Sequence, residues 1–176
     1  MKQITPMSLI IVSTIILAVL TACGTVEATN DSQHVIKLAS KIADFDPPQG
    51  YTAEFSAELA GYTLAAYKGT TGPSHLYVIQ SENEADGEEL TSMLTQMAPG
   101  SSDPNTRLTV IENRPVIIRG QESTLVISDG TNHEGEPYRQ ATVAFQGKGG
   151  PAMLVLSETA ELWDQDAVDA FLQSIR

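Results

Sequence analysis

Residues 138–156 read Tyr138-Arg-Gln-Ala-Thr-Val-Ala-Phe-Gln-Gly-Lys-Gly-Gly-Pro-Ala-Met-Leu-Val-Leu156. Tyr138, Ala141, Val143 and Phe145 alternate with more polar neighbours, the pattern of a strand with one buried face. Gly147-Lys148-Gly149-Gly150 turns the chain, because glycine reaches positive φ without steric cost. Ala152 to Leu156 then returns as an apolar strand. A helix is expected after this hairpin. Asp164 is a suitable N-cap, Trp163 before it and Val168 after it can form a hydrophobic staple, and Val168, Phe171, Leu172 and Ile175 make one apolar stripe. The chain ends on Arg176, a cation suited to a helix C-terminus.

Upstream, Thr106 to Ser128 holds two or more strands: Leu108 to Ile111, Val116 to Ile118 and Thr124 to Ile127. Asn113-Arg114-Pro115 and Gly120-Gln121-Glu122 punctuate them, and Asp129 to Pro137 reads as an exposed, turn-rich loop. Before these comes the clearest helical pattern. Leu90, Met93, Leu94 and Met97 fall on one face, and Asp86 with Glu89 makes a capping-box-like start. Ala98-Pro99-Gly100 stops that helix, and Ser101 to Asn105 is a loop. Tyr51 to Lys68 alternates as strand, with Gly61 marking a bulge or turn, and Leu76 to Gln80 is another strand, giving an antiparallel hairpin around the Gly69-Thr70-Thr71-Gly72-Pro73 loop. Ser32 to Ala43 carries Val35, Leu38, Ala39 and Ile42 at helical spacing, and Phe45-Asp46-Pro47-Pro48-Gln49-Gly50 breaks it.

Helix, strands, helix, strands, helix predicts the α+β class: an antiparallel sheet covered by helices, an α/β/α sandwich. The glycine-rich hairpin from Phe145 to Leu156, running into a terminal helix that ends Phe171-Leu-Gln-Ser-Ile175, resembles the Mog1/PsbP-like group over roughly residues 40–176. No diagnostic motif carries this resemblance. Members of that group include a Ran-binding factor, a photosystem extrinsic subunit and envelope proteins. The resemblance implies a binding or accessory scaffold and transfers no functional residue to this chain.

The N-terminus decides where such a domain works. Lys2 is followed by the apolar run Leu9 to Leu20, then Leu20-Thr21-Ala22-Cys23. This resembles the lipobox of bacterial lipoproteins, in which the signal is cut before the cysteine and lipid is attached to it. The stretch Met7 to Leu20 is too short and carries Ser8, Ser13 and Thr14, whereas a membrane-spanning helix needs about 20 apolar residues. A secreted protein with this single cysteine unlipidated would carry a free thiol in an oxidising compartment. The expected organisation is a signal peptide over 1–22, a tether over 23–31 and one globular domain over 32–176. Cys23 is the lipidation site, and the protein is expected on the extracytoplasmic side of a membrane of the bacterial cell envelope.

The net charge of −12 repels nucleic acid and anionic headgroups, so the expected partners are the membrane through the lipid anchor and an envelope protein. With one cysteine there are no internal disulfides. The chemistry-bearing groups give weak signals. Asp129, His133, Glu134 and Glu136 share a loop, but their spacing fits no EF-hand, and neither HExxH nor CxxC occurs. A solvated loop is the plainer reading. No G-x-S-x-G motif is present, and His34, His75 and His133 lie in unrelated segments. Gly147 to Gly150 lacks the phosphate-loop spacing and leads into a strand. Met93 and Met97 read as a core face, and Trp163 as a helix staple. No catalytic residue, metal ligand or cofactor is therefore assigned. The expected role is non-catalytic binding in the envelope, and the alternative is a hydrolase or metal-dependent enzyme with a dispersed site.

Overall fold

The computed structural model describes residues 27–70, 74–98, 108–132 and 134–176. The stretch 1–22 read as a signal peptide, Cys23, Thr71 to Pro73 of the first loop, Pro99 to Asn105 and His133 lie outside them. Eight strands and three helices follow in the order β1 Glu27–Thr29, α1 Ser32–Ile42, β2 Thr52–Leu59, β3 Tyr62–Lys68, β4 His75–Ser81, α2 Gly87–Met97, β5 Thr109–Ile118, β6 Gln121–Thr131, β7 Pro137–Gln146, β8 Pro151–Thr159 and α3 Gln165–Ser174. All strand pairings are antiparallel, in the order β1-β2-β3-β4-β8-β7-β6-β5. This is an α+β fold with helices on both faces of one sheet.

Each helix begins on an aspartate. Asp31 accepts from Gln33 N at 2.9 Å, Asp86 from Glu89 N at 2.9 Å, and Asp164 from Asp166 N at 3.0 Å and Ala167 N at 3.1 Å. These satisfy amides that have no partner inside a helix. The apolar stripes then choose the faces. Val35, Ala39 and Ile42 of α1 and Val168, Phe171 and Leu172 of α3 pack on one side, against Val78, Leu125, Val143 and Leu154. Leu90, Leu94 and Met97 of α2 pack on the other side, against Leu64, Ile79 and Met153. Alternation along β4 and β8 supplies both cores, which is why these central strands are buried from Leu76 to Ser81 and from Ala152 to Leu156.

Three expectations are corrected. Glu27–Thr29, within the stretch read as tether, pairs with β2 through Glu27↔Glu58 and Thr29↔Ser56. An exposed edge strand this short has no buried face, so it leaves no apolar pattern in the sequence. Asn113-Arg114-Pro115 does not interrupt a strand but lies inside β5, where Pro115 stands opposite Thr124. Proline is tolerated there because β5 is the sheet edge and has no outer neighbour needing the missing N–H. Glu89 does not close a reciprocal capping box. Its carboxylate accepts from the Tyr62 hydroxyl at 2.5 Å, tying α2 to β3.

Two tight turns complete the meanders. Ala60 and Gly61 (φ 51° and 84°) join β2 to β3, and Arg119 and Gly120 (φ 52° and 75°) join β5 to β6. Positive φ at both central residues matches the right-handed twist of the strands they connect. Arg114 on β5 reaches Asp169 on α3 and holds Glu112 Oε1 at 2.6 Å, fastening the helix to the sheet edge.

Candidate functional site

Pro47 and Pro48 exclude residues 43–51 from both helix and sheet. The segment instead runs between α1 and α3 and is pinned along its length. The Phe45 ring meets Tyr67 and Phe171 edge-on, with centroids 5.9 and 5.8 Å away. Asp44 exchanges two backbone hydrogen bonds with Arg176, at 2.9 and 2.8 Å, so the last residue of the chain is zipped to this segment. The Asp44 carboxylate also accepts from Lys148 Nζ at 2.6 Å, which holds it below the usual carboxylate range. Lys148 donates in addition to Ser40 O at 2.9 Å.

A cavity lies on each side of this segment. The larger, about 610 Å³, runs beside α1 and is lined by Ile36, Ala39, Phe45, Pro47, Ala53 and Tyr67, with Asp44, Asp46 and Arg176 among its polar residues. The smaller, about 200 Å³, lies toward α3 among Pro48, Tyr51, Leu156, Glu158, Leu162 and Trp163. Tyr51 lines both.

Tyr51 also leads to a polar cluster that joins three distant parts of the chain. Its hydroxyl lies 3.1 Å from Ser157 O and 3.2 Å from Glu158 Oε2. Ser74, fully buried, donates to Glu158 Oε1, and Thr159 N donates to the same oxygen at 3.0 Å. Burial and then the nearby Glu158 charge push the Tyr51 hydroxyl far above the usual tyrosine range. Nothing in the sequence signals this cluster, because Tyr51 reads as part of a strand pattern and Ser74 and Glu158 belong to no motif.

The residues weighed from sequence come out as follows. His34 is exposed on α1. His75 stacks on Tyr77 at 5.6 Å and lies 3.7 Å from Glu54 Oε2, on the α2 side of the sheet, whereas Tyr51 packs on the α1/α3 side. Asp129 is held by Arg139 through contacts of 2.6 and 3.0 Å. Asn132 Oδ1 accepts from Glu134 N and Glu136 N at 3.0 and 2.9 Å, which shapes that loop from within. Among the described residues no three His, Cys, Asp or Glu side chains gather in a way that could hold a metal ion. In the glycine turn, the buried Gln80 side chain fills the space and accepts from Gly149 N at 2.9 Å. A Cβ at Gly147 or Gly149 would run into it. Trp163 does precede the Asp164 cap and packs against the core, but it also carries the Arg139 guanidinium 5.7 Å from its ring centre and walls the smaller cavity.

No protein-family model matches the chain, and no curated protein does. Among solved structures it is similar to cyanobacterial PsbP (CyanoP) from Synechocystis sp. PCC 6803. The identity is 12%, the match covers 90% of this chain and 95% of that one, and the TM-score is 0.45. The α+β architecture itself rests on the strand order and helix placement above.

Proposed function

We propose that this chain is a lipoprotein of the bacterial envelope, anchored through Cys23, whose domain binds a small apolar ligand without transforming it. The observation that carries the binding role is the cleft of about 610 Å³ beside α1. Its volume lies in the range of small-molecule sites, roughly 300–1,000 Å³. Its walls are chiefly aliphatic and aromatic, and Ile36 at its rim is 48% exposed. The Asp44 carboxylate is already engaged by Lys148, which suits a structural role better than a reactive one. The anchor is supported by Leu20-Thr21-Ala22-Cys23 after an apolar run. Among the described residues no helix is long and apolar enough to cross a membrane.

Two measurements test the two halves separately. Expressed in a bacterium, the wild-type protein should incorporate labelled fatty acid, and Cys23→Ser should not; label retained by the variant refutes the anchor. In detergent-solubilised protein, a neutral environment-sensitive dye such as Nile red should bind saturably, and Ile36→Asp should weaken it at least tenfold without changing the melting temperature. Equal binding by both proteins refutes the cleft.

A further inference from the structure

The smaller cavity carries a charge that the fold leaves uncompensated. Glu158 is half-buried and accepts from Tyr51, Ser74 and Thr159, all neutral donors. Such donors do not cancel the charge of a carboxylate. Among the described residues no cation lies within ion-pair distance of it. The cation nearest by register is Arg139, directly across from Glu158 in the β7–β8 ladder. Arg139 gives Nε and Nη2 to Asp129 on its other side, at 2.6 and 3.0 Å. Asp129, Arg139 and Glu158 together therefore keep one net negative charge, and it rests on Glu158.

The walls around that charge are of a particular kind. Tyr51 and Trp163 supply aromatic surface, and Pro48, Leu156 and Leu162 supply aliphatic surface. Arg139 does not line the cavity, so its guanidinium leaves the space open. Leu162 is 55% exposed and forms an apolar lip. A ligand matching this site has a hydrocarbon stem for the walls and a positive head for the carboxylate and the Tyr51 ring, since aromatic faces attract cations and the Trp163 ring already carries Arg139. At about 200 Å³ the cavity holds one alkyl chain and is smaller than typical drug-sized sites. Glu158 excludes an anion, as does Asp164, the α3 cap that also lines the cavity, and among the described residues no third His, Cys, Asp or Glu joins them to hold a bare metal ion.

We infer that the pocket between Tyr51 and Trp163 binds an alkylammonium group, from a free amine or from a lysine side chain of a partner protein, with Glu158 as its counter-charge. This site is separate from the cleft beside α1, shares only Tyr51 with it, and does not depend on the apolar ligand proposed there.

Trp163 is the sole tryptophan of the chain, so its fluorescence reads this pocket directly. Full-length protein in neutral detergent would be titrated with n-butylammonium at constant ionic strength, and in parallel with n-butanol and sodium chloride. A saturable change is expected with n-butylammonium and none with the other two. Glu158→Gln, which keeps the shape and an acceptor for Tyr51, should weaken the response at least tenfold. Leu162→Lys places an ammonium group at the lip of the pocket and should abolish external binding without altering the melting temperature, because Leu162 is exposed. A short acetylated and amidated Gly-Lys-Gly peptide binding more tightly than n-butylammonium assigns the source to a protein lysine, and weaker binding assigns it to a free amine. No saturable change with either probe, an equal response to n-butanol, or an unaltered response in both variants overturns the inference.

Discussion

Gly150 closes the β7–β8 turn where a Cβ would overlap the carbonyl oxygen of Ser81, a backbone atom that cannot move aside alone. Gly87, the first residue of α2, has no such neighbour within 4 Å of its Cβ position. Gly150→Ala should therefore destabilise the domain by about 1–3 kcal/mol through overpacking. Gly87→Ala should stabilise it by about 0.4–1 kcal/mol by restricting the unfolded chain. Chemical denaturation of the two variants checks both signs, and a common sign refutes the account. Tyr51, Tyr67 and Tyr77 set a second expectation. Burial pushes the Tyr67 and Tyr77 hydroxyls up to about 12, and Tyr51 is raised further by Glu158. An acid whose folded-state pKa lies above its unfolded value of about 10 favours the fold at lower pH. The stability it contributes is complete below about pH 10 and is lost as pH rises toward 12. Thermal melts between pH 9 and 12 should show this fall, and Tyr67→Phe should make it shallower. A fall as steep in Tyr67→Phe as in wild type would place its cause elsewhere.

Helices were the elements most legible in the sequence, because cap and stripe are local. Asp86 and Asp164 cap as their positions suggest, and the buried residues of α1 and α3 are those of the apolar stripes. Phe171 tests this directly. It is 5% exposed and meets Phe45 edge-on, while Gln173 is exposed. Phe171→Ala should cost about 3–5 kcal/mol, a large part of the total of about 5–15 kcal/mol for a domain. Gln173→Ala should change the melting temperature little, and equal small effects would show that α3 is not docked. The strands were legible where one face is buried and misread where burial was not the rule. Pro115 breaks a strand only if that strand has neighbours on both sides, and a local reading cannot know that β5 is an edge. That proline has a use, since β5 also exposes Val110, Ile111 and Ile117. A missing donor makes this apolar edge a poorer template for a second chain. The polar cluster was illegible for a different reason. Tyr51, Ser74 and Glu158 meet only through the β4–β8 pairing and the crossing of the 43–51 segment, and neither leaves a mark near any of the three.

Across the whole molecule, the strand order has a simple grammar. β1 to β4 pair in sequence order, and so do β5 to β8. Each set is a meander whose neighbours are close along the chain. One ladder joins them, β4 to β8, where Gln80 stands opposite Ala152 and His75 opposite Ser157. Local pairings close short loops, whereas this one closes a loop of some seventy residues and carries a correspondingly larger entropy cost. The chain passes from the first meander to the second between Met97 and Thr109. The domain is thus divisible by its own topology. Residues 27–98 and 108–176, produced as separate peptides, should each melt without cooperativity and should regain one cooperative transition when mixed. Separate fragments that already melt cooperatively, or a mixture that never does, would contradict this. Met153 and Leu154 sit at the junction, one facing each core. A reporter enzyme split across these two peptides would be restored only when β4 and β8 recognise one another, which turns the central ladder of this sheet into a complementation switch.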